Sequence, residues 1–205
     1  MIAVNQIIIV SNPDAVANEA NIVNALFNEG LELCHLRKLD YSEEELIDLL
    51  KKIDSKNYSK IVLHNFYDLA ESFGINRIHF SESERLKATE EELKKWKMKN
   101  FILSTSIHKM SDYELLSANF SYTFFGPVFE SISKPGYKPK LNELIQLDKN
   151  ENREIKIIAI GGITPDKIVK IEQANFDGVA LLGSTWSDPK NAIKTFKECC
   201  QNVTI

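Results

Sequence analysis

Residues 156–165 read Lys-Ile-Ile-Ala-Ile-Gly-Gly-Ile-Thr-Pro. The apolar run has no polar alternation, so it suits a strand buried on both faces, which means a parallel strand covered by helices. Two glycines end it. Thr164-Pro165 then places a cap residue ahead of a proline, the preferred opening of a helix. Residues 163–177 are long enough for a right-handed crossover to a next strand. The same unit recurs along the chain. Apolar runs lie at 7–10, 31–36, 60–63, 77–80, 101–103, 122–125 and 179–182. Ser42 with Glu45 and Thr89 with Glu92 have capping-box spacing ahead of amphipathic stretches, and Asp188-Pro189 opens a last helix. Eight strand candidates alternating with helices predict a small (β/α)8 TIM barrel, a single domain over residues 1–205, ahead of an open doubly wound sheet.

Composition removes several classes of function. With 43% apolar residues the chain is not disordered. With 25 Lys+Arg against 29 Asp+Glu and no dominant basic cluster, no nucleic-acid partner is expected. No run approaches the ~20 apolar residues of a membrane span, and the opening Met-Ile-Ala-Val-Asn has no basic segment of a secretory signal. Cys34, Cys199 and Cys200 are odd in number and two are adjacent, which suggests neither a disulfide framework nor a zinc site. A cytoplasmic protein is expected.

In a barrel, chemistry collects where each strand runs into its following loop. His35, His64, His79 and His108 all fall at or near predicted strand ends, as do Arg37, Asn65, Glu84, Ser106, Ser131, Ser133 and Lys134. Any one of them reads equally well as a capping or solvated loop residue. Their recurrence on successive strands points instead to one functional rim. Glycine is the second signal: of eight, six lie at or beyond Gly126. Gly161-Gly162 and Gly183-Ser184 end the last two strands, where barrels recurrently bind phosphate on backbone N–H groups. The bland alternative is that these glycines only relieve tight turns. Four rim histidines leave a metal open, although no i, i+4 pair supports one.

Five segments carry a resemblance: FFGPVFESISKPG at 124–136, IIAIGGIT at 157–164, DGVALLGS at 177–184, STSIH at 104–108 and YDLAESFGINRIHF at 67–80. Together they resemble the thiamine phosphate synthase and thiazole tautomerase superfamily, small (β/α)8 barrels of thiamine biosynthesis. The resemblance implies a thiazole-phosphate pocket made by Ser131, Ser133, Lys134, Gly162, Gly183 and Ser184. It puts His35, Arg37 and Asn65 on the side that takes a pyrimidine pyrophosphate in the synthase, and Glu84 at a magnesium position.

The departures choose between the two activities. Where the synthase branch has Gln-x-Arg-x-Lys, this chain has His35-Leu36-Arg37-Lys38-Leu39; Lys38 is shifted by one and points to the other face of a strand. Asn65 stands where that branch has a magnesium-binding carboxylate, and hard Mg²⁺ favours anionic oxygens. The pattern is therefore similar to the tautomerase branch first: proton transfer that aromatises a thiazole carboxylate phosphate, with His108, Ser106 and Lys134 as catalytic residues and no cofactor. Second comes thiamine phosphate synthase, joining the pyrimidine pyrophosphate to thiazole phosphate with Mg²⁺ held in part by Glu84. Third is a non-catalytic phosphate-ligand binder. Whether the chain is a homodimer stays open.

Overall fold

The computed structural model describes residues 6–130, 147 and 154–202. Eight strands alternate with helices: β1 Ile7–Val10, β2 Leu33–Leu36, β3 Ile61–Leu63, β4 Arg77–Phe80, β5 Ile102–Ile107, β6 Phe120–Phe125, β7 Lys156–Ile160 and β8 Gly178–Leu181. They form a closed barrel in sequence order. Every neighbouring pair is parallel, and β8 returns to β1 with Ala180 opposite Ile8. This is the (β/α)8 barrel, not the open sheet.

The described helices are α1 Glu19–Asn28, α2 Glu43–Lys52, α3 Tyr67–Phe73, α4 Glu82–Arg85, α5 Glu90–Met98, α6 Ile168–Gln173, α7 Gly183–Trp186 and α8 Ala192–Gln201. The capping boxes at Ser42–Glu45 and Thr89–Glu92 both form, side chain to backbone in each direction. The prolines at 165 and 189 each start a 3-10 turn that feeds α6 and α8, with no side-chain cap bond from Thr164 or Asp188. No described helix is long and apolar enough to cross a membrane.

Side-chain alternation sorts each strand into two cores. Ile8, Val10, Leu33, Val62, Tyr122, Phe124, Ile158 and Ala180 fill the lumen. Ile9, Cys34, Leu36, Ile61, Leu63, Ile78, Leu103, Phe125, Val179 and Leu181 pack outward beneath the helices. The alternation continues past the strand ends and decides where charges go. Arg37, in phase with Leu33 and His35, reaches the mouth of the barrel. Lys38 turns the other way and is fully buried toward α1, as its one-residue shift predicts. Its Nζ donates to Glu19 Oε2 at 2.6 Å, Asn12 O at 2.7 Å and Asp14 O at 2.8 Å. Lys38 is thus a structural cation of the barrel wall.

Candidate active site

At the C-terminal mouth of the barrel lies a cavity of about 980 Å³, within the size range of small-molecule sites. Its wall is built from the residues that follow the strands: Arg37 after β2, His64 and Asn65 after β3, Glu84 after β4, His108 after β5, Gly162 after β7, and Gly183 and Ser184 after β8. Ser106 and His79 reach it from within β5 and β4. Eleven residues singled out in the sequence, His79 and Gly161 among them, therefore share one cavity. Ser131, Ser133 and Lys134 lie outside the described residues. His35 does not line the cavity; its ring is fully buried below the floor. Its placement beside a pyrophosphate is thereby corrected, because the third position of a four-residue strand is still inside the lumen.

His108 is held in a defined tautomer. Its Nδ1 lies 2.6 Å from Gly126 O. A carbonyl can only accept, so Nδ1 carries the proton and the lone pair sits on Nε2. Glu82 Oε2 is 4.0 Å from that Nε2, so a carboxylate stands ready to stabilise the charged ring. The imidazole is about half exposed, at 47%. It does not cap the following 3-10 turn, whose N-cap residue is Lys109, without a side-chain bond.

The other three histidines form a layer beneath the mouth. His35 Nδ1 is 2.9 Å from His64 Nε2, and His35 Nε2 is 2.8 Å from the Tyr122 hydroxyl. His79 lies between Ser104 and Ser106, each hydroxyl 2.9 Å from one ring nitrogen. The His64 and His79 rings stack with centroids 4.2 Å apart. Burial, reinforced by the neighbouring charged and imidazole groups, holds all three well toward the neutral form; His79 is pushed down to about 3. Sequence reading put four imidazoles on one rim; His64 and His79 line the mouth cavity from below along with His108, whereas His35 lies wholly within the lumen.

The two glycine turns have different physical reasons. Gly162 has φ of 64°, and a Cβ there would meet Glu130 O at 2.3 Å; one at Gly161 would meet Pro127 Cα at 2.7 Å. These two are required by the close approach of the loop after β6, whose Val128 and Phe129 N–H groups donate to the carbonyls of Ile160 and Gly161. Gly183 is different: a Cβ would meet nothing within 4 Å, because it faces the open cavity. Gly183 and Ser184 begin α7, where the first N–H groups lack intrahelical acceptors. The buried Ser184 Oγ has no partner among the described residues. Trp186 fixes this turn by donating Nε1–H to Val10 O at 2.7 Å.

Of the two positions the resemblance gives to magnesium, one lacks a carboxylate and the other is engaged in a helix cap, although Asp14, Glu82 and Glu84 all line the cavity. Asn65 is a neutral amide whose Nδ2 donates to Lys38 O at 2.7 Å. Glu84 Oε2 is taken by the Ser81 N–H at 2.8 Å, in a third capping box that the sequence reading missed by assigning Glu84 to a metal. Lys38 is held by Glu19. No carboxylate cluster forms among the described residues; the one group of ligating side chains that converges is His35, His64 and His79.

A closed barrel whose mouth holds a largely apolar cavity with convergent polar groups defines a (β/α)8 protein of the small-substrate type. A family model described as thiamine monophosphate synthase matches residues 7–184, and the chain belongs to that family. The thiamine-phosphate synthase of Staphylococcus haemolyticus is 31% identical over 173 residues, covering 80% of this chain and 79% of that one. The synthase of Clostridium tetani is 24% identical and covers 85% of this chain and 81% of its own. Among solved structures, thiamine phosphate pyrophosphorylase from Bacteroides thetaiotaomicron superposes with a TM-score of 0.75 at 24% identity over 96% of each chain. That from Pyrococcus furiosus superposes at 0.77 with 15% identity, over 98% of this chain and 96% of its own. The structural likenesses establish the fold. The curated relatives favour the condensation, which the sequence reading placed second, over the tautomerisation it placed first.

Proposed function

We propose that the mouth cavity binds a thiazole phosphate of thiamine biosynthesis and that His108 moves a proton on it without a metal. The observation that carries this reading is the tautomer of His108. With Nδ1–H donated to Gly126 O, Nε2 is the base, and Glu82 stabilises the imidazolium once the proton has been taken. The same nitrogen returns the proton taken from the ring carbon to the exocyclic carbon, whose double bond to the ring shifts inside it as the ring becomes aromatic. The backbone amides of Gly183 and Ser184 and the unpartnered Ser184 hydroxyl are the proposed phosphate donors. Arg37, which reaches the cavity, supplies charge for a carboxylate or a second phosphate. Mixing the protein with the thiazole carboxylate phosphate and following the ultraviolet change on aromatisation tests the reading. His108→Gln is expected to lower the rate by about 10²–10⁴-fold. Equal rates for wild type and variant refute it.

The second reading is thiamine phosphate synthase activity, favoured by the synthase named at 31% identity over 80% of this chain. It requires a pyrimidine pyrophosphate beside Arg37, with the leaving pyrophosphate's charge met by groups other than Lys38 and Asn65. Pyrophosphate release from the two substrates, dependent on added Mg²⁺ and absent without it, establishes this activity over the first.

A further inference from the structure

The layer of imidazoles beneath the mouth has a property that neither proton transfer nor condensation uses. Three nitrogen ligands come from β2, from the residue just after β3 and from β4, and lie within 4.8 Å of one another. We propose that His35, His64 and His79 form a binding site for a borderline transition-metal ion of the Zn²⁺ class, set in the floor of the mouth cavity.

The chemistry of the donors selects the ion. Three imidazoles suit zinc, cobalt or nickel and not the hard, oxygen-seeking Mg²⁺. The buried rings are held in the neutral, ligating form.

The geometry needs a local rearrangement: the stacked His64 and His79 rings, 21° apart in plane, must tilt so that their nitrogens converge, and His79 gives up one of its two serine hydrogen bonds. Two imidazole nitrogens on one tetrahedral zinc stand about 3.3 Å apart, given bonds of about 2.0–2.1 Å. His35 Nδ1 and His64 Nε2 already face each other at 2.9 Å. Binding spreads them slightly and replaces the proton they share, with a tautomer change in one ring. The outer shell is in place as well. Tyr122 oxygen can accept from His35 Nε2–H, and a Ser104 or Ser106 oxygen can accept from the non-ligating nitrogen of His79. Because His64 and His79 line the cavity and His35 lies beneath, a fourth position is left toward the cavity. A water or an anionic ligand atom can take it. His108 is not part of this set; it sits two residues beyond Ser106, bonded to Gly126.

The test is a Co²⁺ titration of chelator-treated protein, read by visible d–d absorption, with Zn²⁺ competition for affinity. One ion per chain with a tetrahedral spectrum is expected. His64→Ala and His79→Ala should each lose affinity by more than about 100-fold, and Tyr122→Phe by about 10–100-fold, the range of outer-shell partners. His108→Ala should bind as wild type does. Because a lumen variant can fail to fold, X-ray absorption on the wild-type Zn²⁺ protein provides an independent count of imidazole ligands. Three imidazoles support the site. No stoichiometric binding, fewer than three imidazoles, or loss of binding in His108→Ala alone overturns it. None of these readouts depends on turnover, so the outcome is separate from that of the proposed reaction.

Discussion

Lys38→Met tests whether Lys38 belongs to the barrel wall or to the ligand site. In the native protein its ammonium donates three hydrogen bonds and both members of the Lys38–Glu19 pair are buried, with side-chain exposures of 0% and 2%. Removing the cation leaves Glu19 as an uncompensated buried carboxylate, one of whose oxygens already has no partner among the described residues. Breaking a buried pair from one side costs about 3–5 kcal/mol. In a chain of this size each kcal/mol lowers Tm by about 2–4 °C, so the variant should melt about 6–20 °C early. The pH dependence identifies the mechanism. Burial raises the Glu19 carboxyl and Lys38 draws it back. Without Lys38 it rises further. A carboxyl raised in the folded state favours folding below its unfolded value, near 4.5, and loses that contribution as pH climbs through the folded value. The deficit of the variant relative to wild type should therefore be largest at neutral pH and shrink toward pH 4.5. Glu19→Leu added to Lys38→Met should recover most of the loss, short of what the freed Asn12 and Asp14 carbonyls cost. Urea melts of the three proteins across pH measure this. A deficit below about 1 kcal/mol, or one that does not vary with pH, refutes the assignment.

Three further outcomes are expected. Gly162→Ala should destabilise the protein through its positive φ and the close Glu130 carbonyl, whereas Gly183→Ala, entering open space, should leave Tm unchanged; thermal melts compare them. The three lumen histidines have folded values below their unfolded value of about 6.5, so their contribution is present above that pH and is lost as pH falls toward the folded values, about 3 for His79. Each ring adds a slope of up to about 1.4 kcal/mol per pH unit in that interval; urea midpoints between pH 7 and 5 should show it, and His79→Asn should flatten it. Ser81→Ala should cost about 1 kcal/mol by removing a capping box, measured by denaturant melts; a loss of magnesium affinity with unchanged stability would return Glu84 to a metal role.

Much of the fold was legible because barrel strands buried on both faces leave a plain signature. The expected runs at 77–80 and 156–160 coincide with β4 and β7, and two capping boxes form as their spacing predicts. β5 was read as ending at Leu103 but continues to Ile107. Its inward residues Ser104 and Ser106 face a polar lumen, so an apolar criterion stopped too early. The same cause hid the histidine layer. A rim was inferred from closeness to strand ends, whereas carrying the alternation of Ile8 and Val10 from strand to strand would have put His35 and His79 inside. That alternation did place Lys38 on the far face, because it needs only a count of residues. Ser81 and Glu84 also have capping spacing, a role for Glu84 that the metal expectation passed over. The need for glycine at 161 and 162 depends on the loop after β6, a tertiary contact that local sequence does not encode.

The bond from Trp186 to the Val10 carbonyl spans 176 positions of the chain. It straddles the seam where the last strand meets the first, the most distant strand pairing among the described residues and the most expensive in chain entropy. Asn12 and Asp14 border the cavity from one side of that seam and Gly183 and Ser184 from the other. A ligand gripping both flanks would act as a staple, and slower amide exchange along the first and last strands should accompany its binding.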